Sequence, residues 1–236
     1  MIHLQLGHLG TASVFLAFGL ALYATVVGAL GAQRRDARLQ TSARLATVAT
    51  FLVAATAVAV MEAALVSNDF SVQYVANHSS IGSPLWVKIV TLWAALQGSI
   101  LLWSFLLTAY TALLAFTAPL SPLRPWALAV LSAIQVFFLG VVAFLANPFH
   151  TLASPPANGP GPNALLQNNW MMAVHPVLMY LGFVGLSVPF AFAMAALITR
   201  RPGSEWMVQT RRGALTGWGF LGAAFVAGGC WSYDVL

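Results

Sequence analysis

Apolar residues fall in six long stretches along the chain, roughly 9–32, 43–66, 87–116, 126–146, 176–199 and 213–233, separated by short polar segments. A helix rises about 1.5 Å per residue, so about 20 apolar residues cross the hydrocarbon core of a bilayer. Each stretch reaches that length. The pattern predicts an all-α, polytopic transmembrane bundle of about six helices, forming a single transmembrane domain over residues 1–236. The third stretch is overlong, so it either tilts or begins as an interfacial segment.

The basic residues orient the bundle. Arg34, Arg35, Arg38 and Arg44 lie in or beside the first loop, Arg124 in the third, and Arg200, Arg201, Arg211 and Arg212 in the fifth. Only Lys88 falls on the other side. Cationic loops stay cytoplasmic, so both termini are expected outside. His3, His8, His78, His150 and His175 then all lie on the outer side. Histidine there can ligate a metal or carry a proton near neutral pH. Long, polar outer loops would also gather histidines without any such role.

The outer loops differ in character. The second, NDFSVQYVANHSSIGSPLW, alternates Phe70, Val72 and Tyr74 and reads as a partly ordered segment lying on the membrane surface. The fourth, NPFHTLASPPANGPGPNALLQNNW, is rich in Pro, Gly and Asn and reads as irregular. It runs into His175-Pro176. Proline suits the first turn of a helix, where its missing N–H has no partner anyway, so the fifth helix is expected to start at Pro176. That places His175 at the rim of the bilayer. Considered alone, such a histidine is more often an interfacial cap than a ligand.

Four residues with polar groups stand out in or beside the apolar stretches. Trp86, Trp93 and Gln97 are spaced seven and four apart, which places them on one face of a continuous helix. Gly98-Ser99 beside them allows close approach of a neighbouring helix or a ligand. Glu62 lies toward the outer end of the second stretch. It fits either a proton site or a pair with Lys88 at headgroup level.

Composition narrows the function classes. The chain has 236 residues, 60% hydrophobic and 6% charged, with a formal charge of +5. Soluble domains carry about 25% charged residues, and no polar block here is long enough for one. The net charge is accounted for by loop arginines, with no call for nucleic acid. A single cysteine, Cys230, excludes an internal disulfide or a cysteine metal cluster. No basic segment precedes the first apolar run, unlike a cleaved signal peptide. There is no phosphate loop, nucleophile elbow, HExxH or dinucleotide fingerprint. One function class that remains is a proton-coupled transporter or channel subunit using Glu62 and Gln97.

A second class comes from resemblance. The segments carrying it are LGH at Leu6–His8, DFSVQYVANHSS at Asp69–Ser80 and LWVKIVTLWAALQGSILLW at Leu85–Trp103. They continue with NPF at Asn147–Phe149, NALLQNNWMMAVHPVLMYLGFVGLSVPFAFAMAAL at Asn163–Leu197 and GWGFLGAAFVAGGCWSYDVL at Gly217–Leu236. In order and spacing the chain resembles the N-terminal part of the CcmF/CcsA family of haem-handling proteins, the haem lyases of cytochrome c maturation. The resemblance implies an inner (plasma) membrane protein that takes haem from a haem chaperone on the outer side. It implies joining of that haem to reduced CXXCH cysteines of apocytochrome c, alongside thiol-handling maturation proteins. His175 matches the first of a pair of outer histidines that hold haem, which makes it an axial ligand to the haem iron. Trp93 and Trp170 are the aromatic residues expected to contact haem. A b-type haem is held by membrane-helix histidines in the family. Those histidines, the second outer histidine and the tryptophan-rich segment are expected beyond Leu236, so the chain looks like a fragment or split-gene product whose haem site needs a further segment or a partner. Gln97 stands where many members carry an acid.

Overall fold

The computed structural model describes residues 3–118, 121–163, 169–201 and 203–235. Among them are six helices or helix pairs long and apolar enough to cross a membrane, as the hydropathy pattern predicts. The first two are α1 (His3–Arg34) and α2 (Ala37–Ser67). Between them Arg35 adopts a left-handed conformation, φ 55°. Asp36 caps α2, its carboxylate accepting from the N–H groups of Arg38 at 2.8 Å and Leu39 at 3.3 Å. This satisfies two of the donors that a helix start leaves open.

The second outer loop folds inward rather than lying on the surface. It contains the short α3 (Gln73–His78), and Phe70, Val72, Tyr74 and Val75 are buried. It pairs with the fourth outer loop through the Val72–Thr151 bridge. The Gln73 N–H donates to the His150 carbonyl at 2.7 Å, and the Leu152 N–H to the Ser71 carbonyl at 2.8 Å. Phe149, 1% exposed, seats on α1 at Gly10. Asn147 shapes that turn by accepting from the Phe149 N–H at 2.9 Å. The two loops form one cap on the outer end of the bundle, continuous with a core of Met61, Leu65, Leu92, Leu101 and Val142.

The overlong third stretch is three pieces. It starts as α4 (Leu85–Val90), passes through a 3-10 turn (Thr91–Trp93), breaks at Ala94–Ala95, and only then becomes the spanning helix α5 (Leu96–Thr117). Ala95 is extended, φ −139° and ψ 165°. Trp86, Trp93 and Gln97 therefore do not share one helix face: the break resets the register between Trp93 and Gln97. Gly98 is what makes the break possible. A Cβ there would lie 2.6 Å from the Tyr74 hydroxyl oxygen and would collide with the Leu92 carbonyl. The close approach read from Gly98-Ser99 is made by the chain's own loop.

After α5 come α6 (Leu123–Phe144), α7 (Met171–Gly185), α8 (Ser187–Ile198) and α9 (Glu205–Val235). α7 and α8 form one span, bent at Leu186. Pro189 explains the bend, because its ring crowds the carbonyl four residues earlier and its nitrogen donates nothing. α1 packs on α2 and α6, while α9 packs on α7 and α8. Six crossings leave the start of α1 and the end of α9 on the same side. Within the bundle Gln135 is fully buried, and its amide donates to the Thr111 hydroxyl at 2.6 Å, joining α6 to α5. An intramembrane amide needs such a partner.

Two glycines on α1 test the seating of the cap. A Cβ at Gly10 would lie 2.1 Å from the Phe149 ring, whereas Gly19 has nothing within 4 Å. Gly10→Ala should lower thermal stability in detergent by about 1–3 kcal/mol through overpacking. Gly19→Ala should be neutral or stabilising by up to about 1 kcal/mol. Equal effects at the two positions would contradict the packing described.

Candidate functional site

The start of α7 is set by Asn169, not by Pro176. The Asn169 side-chain oxygen accepts from the Met171 N–H at 2.9 Å, and its carbonyl accepts from the Met172 N–H at 3.1 Å. The helix runs from Met171, and Pro176 lies inside it. The expected start at Pro176 is thus corrected by about one and a half turns, because an asparagine earlier in the chain supplies the cap.

Proline inside a helix leaves a carbonyl without a donor. In an α-helix the carbonyl of residue 172 accepts from the N–H of residue 176, and Pro176 has none. Met172 is 1% exposed, so water is not available there. The Trp93 indole fills the vacancy: its Nε1–H donates to the Met172 carbonyl at 2.9 Å. Trp93 is itself held by the break after α4. The Tyr74 hydroxyl lies 2.8 Å from the Thr91 carbonyl and 3.0 Å from that of Leu92, and the Ser99 hydroxyl donates to the Trp93 carbonyl at 3.0 Å. Burial raises the Tyr74 hydroxyl above its usual range, which keeps it a protonated donor.

One turn below Met172 on the same helix, His175 faces α9. Its Nδ1 lies 2.9 Å from the Ala224 carbonyl oxygen. A carbonyl can only accept, so Nδ1 carries the proton and, in the neutral ring, Nε2 keeps its lone pair. Gly228 makes the approach possible, since a Cβ there would be 2.7 Å from the imidazole. Trp231 stands over the histidine with ring centroids 5.7 Å apart at 59°, and its indole nitrogen is buried without a hydrogen-bond partner among the described residues. An imidazole whose Nδ1–H is fixed by a carbonyl, and whose Nε2 has no hydrogen-bond partner among the described residues, matches the arrangement found in metal-ligating histidines. The donor chemistry fits one axial position of a haem iron. Among the described residues no group of three His, Cys, Asp or Glu gathers to hold a bare metal ion.

The other sequence candidates are dispersed. Trp170 is 63% exposed at the residue before α7. Trp93 reaches α7 three residues before His175, and its N–H is committed to the backbone. His78 is half-buried against Tyr74, 4.8 Å between ring centroids, and burial lowers its pKa. His8 and His150 are exposed, and the side chain of His3 lies outside the described residues. The Glu62 Oε2 is buried with no hydrogen-bond partner among the described residues, so the expected pairing with Lys88 is not made through that oxygen. Gln97 occupies the second position of α5 rather than a deep membrane site. Gly228, the Ala224 carbonyl and Trp231 were not legible as site residues. The only sequence signal for them is a Gly-Gly-Cys-Trp run at 228–231 near the end of an apolar stretch.

A family model described as cytochrome C assembly protein matches residues 93–236. The cytochrome c-type biogenesis protein CcmF of Escherichia coli (strain K12) is 39% identical over 231 residues, covering 97% of this chain and 36% of that protein. CycK of Rhizobium meliloti (strain 1021), also named a cytochrome c-type biogenesis protein, is 37% identical, covering 99% of this chain and 34% of its own length. A solved structure of the cytochrome c heme lyase CcmF superposes with a TM-score of 0.86 at 49% identity, covering 97% of this chain and 36% of that one. The chain spans about a third of the length of each.

The link between Trp93 and Pro176 makes a specific double-mutant prediction. Trp93→Phe keeps the ring and removes the donor, which should cost about 1–3 kcal/mol in thermal unfolding for the stranded Met172 carbonyl. In a Pro176→Ala background the backbone N–H returns, and the same Trp93→Phe change should cost well under half as much. An equal cost in both backgrounds would show that the indole is not replacing the helical hydrogen bond.

Proposed function

Because this chain belongs to the cytochrome c assembly protein family, we propose that it forms the N-terminal part of a haem lyase and positions haem on the arginine-poor face of the membrane for thioether attachment to apocytochrome c. The observation that carries this reading is the His175 Nδ1–H held on the Ala224 carbonyl, with Nε2 left free to ligate the haem iron. Haem supplies the vinyl group to which a cysteine thiol of apocytochrome c adds. The chain's own residues do the holding. His175 offers the axial nitrogen, Trp231 offers an aromatic wall and an unspent N–H, and Trp93 fixes the backbone one turn away. Trp170, exposed at the same end of α7, contacts the haem edge in this reading. The hydrogen bond and ring contact of His175 reach the Ala224 carbonyl and Trp231, neither of them a nucleophile, so the contribution in this reading is orientation.

One histidine is half of a bis-histidine site, so a second ligand and the b-type haem expected in this family come from another segment or chain. The haem chaperone and the thiol-handling maturation proteins are the corresponding partners, and the inner (plasma) membrane is the location. The transporter reading gains nothing comparable. Glu62 and Gln97 share no hydrogen bond among the described residues, and Gln97 stands at a helix start.

In cells whose cytochrome c maturation depends on this protein, His175→Ala should lower covalently haem-stained cytochrome c by about tenfold or more at unchanged protein level. Unchanged output would remove His175 from the account.

A further inference from the structure

The end of the bundle opposite the haem face holds a cavity that this function does not use. It occupies about 410 Å3 between α1 and the starts of α2 and α6, and its polar wall includes Arg44, Arg124, Gln40 and Ser121. A second lobe of about 610 Å3 shares Gln40, Ser121, Pro122 and Pro125 with it and adds Arg35 and Arg201. Among the described residues four guanidiniums line the two lobes, and no aspartate or glutamate does. Asp36, the acid nearest in sequence, spends its carboxylate capping α2.

Arg124 is 9% exposed. One of its N–H groups donates to the Ala115 carbonyl near the end of α5. The Arg44 side chain has no hydrogen-bond partner among the described residues. Arg44 is half-buried, whereas Arg35 and Arg201 are exposed, so the cost of gathering these cations falls mainly on Arg124 and Arg44, and an anion between those two lowers it. The planar guanidinium matches the oxygens of a phosphate group in a bidentate fork. The remaining wall is apolar, from Ala24, Ala43 and Leu128. The volume is that of a small-molecule site. The cavity lies at headgroup level on the arginine-rich side, where anionic lipids collect.

We propose that this two-lobed cavity binds a phosphate group, that of an anionic phospholipid, between Arg44 and Arg124, with the apolar wall taking the glycerol and upper acyl chain. Lipid bound there braces the starts of α2 and α6 from the side away from the haem face.

The test is native mass spectrometry of the 236-residue chain released from detergent after addition of phosphatidylglycerol, phosphatidylcholine or inorganic phosphate. Phosphatidylglycerol should be retained several-fold over phosphatidylcholine. Arg44→Gln should reduce its retention by about fivefold, with helical content by circular dichroism unchanged. Arg38→Gln, exposed on the same side but outside the cavity, should leave retention as in the parent. Arg124→Gln also loses the Ala115 contact, so Arg44→Gln is the deciding variant. Equal retention of the two lipids, or no effect of Arg44→Gln, overturns the proposal. Retention of inorganic phosphate alone, dependent on Arg44, overturns the lipid assignment and identifies a soluble phosphate compound as the ligand.

Discussion

A proline or a break inside a helix leaves a carbonyl without its usual donor, and in a membrane bundle such a carbonyl is costly unless another group donates to it. The Trp93 indole on the Met172 carbonyl is the central instance. Pro176 creates the vacancy and a tryptophan from another span fills it. The same rule accounts for Tyr74 on Thr91 and Leu92, Ser99 on Trp93, and Arg124 on Ala115. The contacts of Tyr74, Ser99 and Trp93 form a path from the second outer loop, through the break before α5, into the first two turns of α7. His175 lies at the end of that path and passes it to α9 through Ala224. The polar groups that specify the outer end of the bundle are therefore backbone carbonyls as much as side chains.

In the proposed role, this arrangement is what would let the outer end present a ligand. A histidine on an isolated membrane helix turns toward whatever accepts its proton. Here the Gly228 notch lets the imidazole reach the α9 backbone, and the orientation of the ring follows from one hydrogen bond. The outer cap of Phe149, Val72 and Tyr74 packs the same region from the other side. Rigidity near a cofactor site lowers the cost of binding, since less disorder is lost when the ligand arrives.

The sequence carried some of this plainly and hid the rest for identifiable reasons. Spans appear because about 20 consecutive apolar residues have few other uses, and arginine placement orients them. The resemblance carried by Leu85–Trp103 and Asn163–Leu197 agrees with the family match, and it is what singles out His175 as a candidate ligand. The helix break at Ala94–Ala95 was not, since both residues are alanine and neither is a breaker. Its cause is tertiary: Gly98 admits the Tyr74 hydroxyl and the Leu92 carbonyl. Pro176 was misread as a helix start because the donor that tolerates it inside a helix sits 83 positions earlier, at Trp93. The second loop looked like surface because its alternation was taken as amphipathic, whereas the pairing with Thr151 and Leu152 buries it. Gly228 was invisible as a site residue because a glycine near the end of a glycine-rich stretch has many uses.

The central claim is that this chain presents His175 Nε2 to a haem iron. Its most direct test is titration of haem into the purified 236-residue chain in detergent, followed by absorption, beside the His175→Ala variant. The account predicts a saturable shift of the haem band in the parent that is lost in the variant. The same shift in both would contradict it, because haem would then be binding somewhere other than the histidine that α7 and α9 hold in place.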